Sequence, residues 1–224
     1  MTRNALAVIA KEPVAGTAKT RLAPALGAAG AARAAAAMLA DTLAAVRAAG
    51  AAPWLCFTPA AARARLARLA PGFGLLPQRG ADLGERLAAC LHDLLAAGAG
   101  RVAIVGADTP HLPPASCRRA FALLADVDVV LGPALDGGYY LVAAKASRPE
   151  LFAGVPMGTE LVFEATLARA AGAGLTVGLL PPLRDLDRVE DLRAALDGGE
   201  LDRAPATRAV VAELLAALPR AAAS

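Results

Sequence analysis

The chain has 224 residues, enough to bury a real core without disulfide or metal staples, and its 57% hydrophobic content comes largely from alanine, the best helix former. No apolar run approaches the roughly 20 residues that span a bilayer, and the N-terminus lacks a basic segment followed by a long apolar core, so a cytoplasmic protein with no membrane partner is expected. The net charge of +3 is spread along the chain without blocks of like charge, which offers nucleic acid no footing.

The elements alternate in the manner of an α/β fold. Residues 4–10 (NALAVIA) read as a first strand, followed by the irregular loop KEPVAGTAKTRLAP and a long helix over 28–49 that Gly50 stops. A short strand at 53–58 precedes a helix over about 60–69; a third strand at 75–77 leads through QRGADLGER into a helix ending near Ala97. Residues 101–106 (RVAIVG) are the central strand, with a helix over 115–125 and a strand over 128–132 behind it. LDGGYY then turns into an apolar run at 141–144. Beyond it come a short helical segment at 147–154, a helix over 159–171 with Thr159 as N-cap, a last strand at 175–180, and a helix over 189–196. An amphipathic helix over 206–218 is expected to pack on the outside or on a partner. No repeat or long linker appears, so one domain over 1–224 is expected, with its core at about 4–197.

Cys56, Cys90 and Cys117 are odd in number, far apart and in no CxxC pair. They read as small buried hydrophobes, with neither a disulfide framework nor a zinc site expected. His92 and His111 read as structural, since no Ser or Cys stands where a triad would need it.

Charged residues collect where the strands of such a sheet end, and that edge is where open α/β sheets bind ligands. After the first strand come Lys11, Pro13, Gly16, Lys19, Thr20 and Arg21. A glycine admits a phosphate close to the backbone, and the cations neutralise a pyrophosphate whose charge grows as its bond breaks. A Walker A loop is excluded, because Ala18 and Pro13 stand where it requires glycine. Asp108 follows the central strand, and the next helix begins only after Pro113 and Pro114, too far on for Asp108 to cap it. A carboxylate there, facing a cationic loop, suits Mg²⁺, which binds through one or two carboxylates and the substrate's phosphates. Asp136, Gly137 and Gly138, taken alone, read as an ordinary hairpin turn, and only their position makes them a third candidate. Asp185 and Asp187 lie between the last strand and a helix, one free to cap and the other to ligate; spacing does not choose between them.

The segments KEPVAGTAKTRL, GADLGERL, GADTPHL, VVLGPALDGGYYL and LPPLRDLDRVEDL, in that order over about residues 4–197, resemble a bacterial family of GT-A-fold transferases. Its members are often labelled arsenosugar-biosynthesis glycosyltransferases. More distantly, the chain is similar to phospholactate guanylyltransferase and molybdenum-cofactor guanylyltransferase. The resemblance implies a Rossmann-like, mostly parallel sheet with helices on both faces that binds a nucleotide-diphospho compound with Mg²⁺ or Mn²⁺. It assigns Lys11, Gly16, Lys19, Arg21, Gly80 and Asp82 to the nucleotide, and Asp108 with Asp187, or alternatively Asp185, to the metal. It assigns Asp136, Gly137, Gly138 and Tyr139 to the acceptor pocket. The chain departs from the family pattern at Met157 and Gly158, where Trp and Ser are usual, and at Ala107, where Ser is usual.

The expected function is a Mg²⁺-dependent glycosyltransferase in which Lys19, Arg21 and Asp108 carry the chemistry on a nucleotide sugar. Its rivals are a nucleotidyltransferase that takes an NTP and a phosphorylated acceptor, and a nucleotide-binding module without catalysis. Homo-oligomerisation is left open by the sequence.

Overall fold

The computed structural model describes residues 3–218. In chain order it contains β1 (Asn4–Lys11), α1 (Ala23–Ala48), β2 (Ala52–Thr58), α2 (Arg63–Leu69), β3 (Gly74–Pro77), α3 (Leu83–Ala96), β4 (Arg101–Gly106), α4 (Pro114–Leu123), β5 (Val129–Pro133), β6 (Tyr139–Ala144), α5 (Val162–Gly172), β7 (Val177–Leu179), α6 (Val189–Asp197) and α7 (Pro205–Ala216). The strands form one sheet in the order β3-β2-β1-β4-β6-β5-β7. All neighbours are parallel except β6, which runs antiparallel to both β4 and β5.

The continuous apolar runs of β1 and β4 follow from burial on both faces. Side chains alternate across a strand. Leu6 and Val8 of β1 and Val105 of β4 therefore join Leu39, Leu43, Leu66 and Phe121 on the face covered by α1, α2 and α4. Ala5 and Ala7, with Val102 and Ile104, face Leu87, Leu91 and Leu94 of α3. The expected α/β sheet with helices on both faces is the observed one.

α1 is long and apolar enough by length and composition to cross a membrane, yet most of that stretch is buried within the protein. The sequence expectation that no such run exists is corrected in that sense: alanines make a helix apolar enough, and packing uses them. Gly27 breaks the helix with φ +70 and ψ 161, so its long regular part begins at residue 28. The C-terminal helix does not face outward unpartnered. Val211 of α7 packs with Ala34 and Met38 of α1 and with Leu192 of α6. The buried Asp41 carboxylate accepts the backbone N–H groups of Ala206 (3.3 Å) and Thr207 (2.7 Å), capping the start of α7 from α1.

Other expectations need correction. Cys56 on β2 and Cys90 on α3 are joined in a disulfide, with Cα atoms 6.8 Å apart, while Cys117 is a buried thiol. Burial pushes the Cys117 thiol up to about 12. The pairing is created by α3 lying across β2, which sequence spacing does not reveal. The 147–154 segment holds only a 3-10 turn at Pro149–Leu151, and the last strand is three residues long. α5 starts at Val162, because Thr159 donates its hydroxyl to the Pro156 carbonyl (2.8 Å) and shapes the preceding turn.

Candidate active site

β1 and β4 lie side by side, with β2 and β3 continuing the sheet on one side and β6 on the other. Strand order reverses at β1, and the crevice outside the carboxyl ends at such a switch point is the ligand position of doubly wound sheets. Three loops enter it: residues 12–22 after β1, 107–113 after β4, and 180–188 after β7.

The first loop is anchored at its root. The Glu12 N–H donates to the Thr58 carbonyl (2.8 Å), and the Glu12 carboxylate accepts both Arg65 Nε and Arg65 Nη2, the latter at 2.9 Å. The hydrogen bonds from Arg65 outweigh burial and hold the Glu12 carboxyl below its usual range. Beyond this root, Thr17 and Ala18 donate their N–H groups to the Val14 carbonyl, at 3.1 and 3.0 Å. Gly16 sits at φ +79, and Lys19 at φ +47 is the one non-glycine residue with positive φ among the described residues. That left-handed conformation, costly for a side chain, turns Lys19 inward until its side chain is only 8% exposed.

Lys19 Nζ reaches Asp108 Oδ1 at 2.6 Å, Asp187 Oδ1 at 2.7 Å and the Leu186 carbonyl at 2.9 Å, filling its three donor positions. Arg21 donates to Asp187 Oδ2 (3.0 Å) and to the Gly158 carbonyl (3.4 Å). The Leu186 N–H donates to the Asp108 carbonyl (2.9 Å), which stitches the 180–188 loop to the end of β4. Burial alone would lower the Lys19 pKa, but the Asp108 and Asp187 charges overcome it and raise it. Burial raises the Asp187 carboxyl, and the charges of Lys19 and then Arg21 bring it below its ordinary value. Asp185 accepts the Thr109 hydroxyl. Burial pushes Asp185 up to about 7, with the Asp108 and Asp136 charges adding to the rise and the Thr109 hydrogen bond and Lys19 opposing it.

Neither Asp185 nor Asp187 caps α6. Asp191 does so, its Oδ2 accepting the N–H groups of Arg188 (2.7 Å) and Asp187 (3.2 Å). Both carboxylates of the D-x-D pair are thus left for the crevice.

Two adjoining cavities open here. The smaller, about 280 Å³, lies between the first loop and α1 and is lined by Thr17 to Arg21. The larger, about 540 Å³, runs from Thr58 and Gln78 across the sheet edge to Asp136, Met157 and Thr159. Lys11, Arg21, Asp108 and Asp187 line both, so these four mark the junction. Lys19 lines the smaller cavity; Asp136, Gly138, Tyr139 and Asp185 line the larger.

The remaining sequence candidates stand apart. Gly16 lines neither cavity. Gly80 and Asp82 line neither as well: Asp82 Oδ1 accepts the Glu85 N–H (2.8 Å) and caps α3, while Gly80 packs against Glu85. Gly137 takes φ +88, and an added Cβ would lie 2.1 Å from the Glu160 carbonyl oxygen, so only glycine fits. The DGG segment is both things the sequence allowed, the turn of the β5–β6 hairpin and a wall of the larger cavity. Tyr139 presents its ring to the cavity, but its hydroxyl is buried near Thr166 without a hydrogen-bond partner, and burial raises its pKa. Sequence reasoning missed Thr109, Arg65 and Gln78. Only Gln78 carried a usable signal, as the first polar side chain beyond a strand at the carboxyl edge.

No cluster of three His, Cys, Asp or Glu side chains in metal-binding geometry occurs among the described residues. The donor set nonetheless fits a hard cation. Carboxylate oxygens of Asp108 and Asp187 converge within 2.7 Å of one point, oxygen is what Mg²⁺ and Mn²⁺ prefer, and Mg²⁺ needs only one or two carboxylates beside substrate phosphates. That point is held by the Lys19 ammonium.

Residues 39–159 match the family model described as "Uncharacterized protein conserved in bacteria (DUF2064)". No curated protein matches the chain significantly. Among solved structures, the chain is similar to a protein of Desulfovibrio desulfuricans G20 provisionally named a nucleotide-diphospho-sugar transferase, with TM-score 0.89, 29% identity and 96% of each chain covered. It shares its fold with a CMP:2-keto-3-deoxy-manno-octonic acid synthetase complexed with CTP (TM-score 0.56, 12% identity, 91% of this chain and 99% of that one). It also shares its fold with Rv0371c of Mycobacterium tuberculosis H37Rv in complex with manganese (TM-score 0.53, 20% identity, 88% and 98%).

Proposed function

Starting from the premise that this chain belongs to the bacterial family DUF2064 and has the fold of nucleotide-diphospho-sugar transferases and nucleotidyltransferases, we propose that it is a transferase acting on a nucleotide-activated substrate, most specifically a glycosyltransferase using a nucleotide-diphospho-sugar donor. The observation that carries this reading is the convergence of Lys19, Arg21, Asp108 and Asp187 at the junction of two cavities over the switch point. A diphosphate placed there meets two side-chain cations, and its nucleoside and transferred group extend into the larger cavity.

The work these four charged groups can do is positioning and charge stabilisation. Lys19 and Arg21 compensate the negative charge that grows on the leaving nucleotide. Asp108 and Asp187 would hold Mg²⁺ or Mn²⁺, which supplies further neutralisation of the diphosphate. For them to do so Lys19 must leave the carboxylates, and the phosphates give it a new partner of opposite charge in their place. Asp136 and Asp185, on the far side of the junction, face the acceptor end. The likeness to a manganese complex and to a transferase named for nucleotide sugars supports this arrangement.

A second reading, nucleotidyl transfer from an NTP with release of pyrophosphate, is favoured by one observation. Lys11 and Arg86 add two further cations to the larger cavity's wall, more than a diphosphate requires. The deciding experiment is a thermal-shift panel of nucleoside diphosphates, triphosphates and nucleotide sugars with and without Mg²⁺. A Mg²⁺-dependent shift with one nucleotide sugar, lost in Asp108→Asn, supports the first reading. Pyrophosphate released from an NTP without nucleotide-sugar turnover supports the second, and no shift with any nucleotide overturns both.

A further inference from the structure

Gln78 is the first residue beyond β3, and its backbone N–H donates to the Phe57 carbonyl (2.8 Å), prolonging the β2–β3 ladder. Its side chain turns back across the sheet edge. Nε2 donates to the Cys56 carbonyl two residues before the end of β2 (2.8 Å) and to the Ala10 carbonyl one residue before the end of β1 (3.0 Å).

A primary amide has two N–H donors, and both are spent on carbonyls that can only accept. The amide is therefore oriented without ambiguity, because the flipped form would set two oxygens against a third. Oε1 must point away from the strands. It accepts no hydrogen bond among the described residues, is not a sealed polar atom, and belongs to a residue lining the larger cavity beside Lys11, Thr58 and Arg86. An acceptor held rigidly at a cavity wall discriminates strongly, since a ligand that covers it without donating leaves it unpaired.

Its place on the sheet says which part of a ligand it meets. The amide head lies over the gap between β1 and β2, and Asp108 stands at the end of β4 on the other side of β1. One to two strand spacings separate them, about 5–10 Å. That is the span of a ribose between a phosphate held at Lys19 and Asp108 and the edge of its base.

We propose that Gln78 is a specificity-determining residue that reads the base of the nucleotide through Oε1, favouring the base whose Watson–Crick N–H lies opposite that fixed acceptor. The inference rests on the proposed nucleotide chemistry of the site. The plain alternative is a tie between strand ends, which would serve every nucleotide equally.

The test begins with dissociation constants of the full chain for ADP, CDP, GDP and UDP with Mg²⁺. The preferred nucleotide is then compared with its N-methylated counterpart (N3-methyl for uracil, N4,N4-dimethyl for cytosine, N1,N2,N2-trimethyl for guanine, N6,N6-dimethyl for adenine). Methylation leaves the protein untouched and should weaken binding about tenfold or more. Gln78→Met should shrink the spread among the four nucleotides to about threefold, on the same basis. Equal binding of parent and methylated nucleotide, an absence of base preference in the wild type, or a uniform loss across all four in Gln78→Met would overturn the role of Gln78 and leave the transferase reading standing. Failure of every nucleotide to bind would overturn both.

Discussion

The Lys19 ammonium lies 2.6 Å from Asp108 Oδ1, a buried cation closing on a carboxylate that is half exposed to the crevice. With Asp187 at 2.7 Å, the lysine occupies the point where a divalent ion would meet both carboxylates. Lysine and metal therefore compete. Lys19→Met should bind Mn²⁺ at least about tenfold more tightly than wild type in the absence of nucleotide, as removal of a close unit charge at a partly buried site allows. Wild type should gain Mn²⁺ affinity when a nucleoside diphosphate is added. Titration followed by electron paramagnetic resonance reads both, and equal Mn²⁺ affinity in the two proteins would sink the competition. Turnover in Lys19→Met should fall about 100-fold or more, the scale of losing one group that stabilises transition-state charge.

Gly137 tests the wall of the larger cavity. In Gly137→Ala the new Cβ would meet the Glu160 carbonyl oxygen at 2.1 Å from a backbone at φ +88. The strain and overpacking should cost about 3 kcal/mol, a fall in Tm of about 6–12 °C for a chain of this length. A calorimetric Tm within 2 °C of wild type, by the same roughly 2–4 °C per kcal/mol, would show that the turn relaxes easily.

Tyr139 separates ring from hydroxyl. Its hydroxyl is buried without a partner, so Tyr139→Phe should leave Tm unchanged or raise it and should leave KM for any acceptor within about twofold of wild type. A large rise in KM would return the hydroxyl to the acceptor site.

His111 predicts a pH dependence of stability. It is 3% exposed, both ring nitrogens lack hydrogen bonds, Glu200 Oε2 stands 3.6 Å from Nε2, and the Arg184 and Arg203 charges are nearby. Burial lowers its pKa below 6.5; Glu200 opposes that shift and the two arginines reinforce it. The unfolded chain therefore takes up a proton before the folded one does as pH falls. The stabilising contribution is full above the unfolded value of 6.5 and is lost progressively as pH drops from there through the folded value. Urea unfolding of His111→Leu should show a shallower loss of stability below pH 6.5 than wild type, and an identical slope would assign the loss to other groups.

Much of the sheet was legible because its strands are buried on both faces: NALAVIA and RVAIVG admit few other readings. The charged loops were legible for a related reason. Lys19, Asp108 and Asp187 stand among residues that a solvated surface loop has no need to place at successive strand ends. What spacing could not supply was their pairing. Nothing local distinguishes Asp187, gripped by Lys19 and Arg21, from Asp185, held by Thr109 two residues earlier.

Asp82 shows the opposite error of inference. A motif placed it at the nucleotide, and its carboxylate is instead spent on the Glu85 N–H. The Cys56–Cys90 pair and the Asp41 cap on α7 were likewise invisible, since each joins elements whose mutual approach is set by packing.

By itself the sequence determined the family, the alternation of strands and helices, and which loops carry charge, because hydrophobic period and turn chemistry are local properties of a chain. Only the tertiary structure decided that Lys19 answers Asp108 and Asp187 together, that the Gln78 amide ties β1 to β2, and that Tyr139 hides its hydroxyl in the core. Those outcomes depend on distances of a few ångströms between residues far apart in the chain, and such distances exist only once the sheet has closed its core.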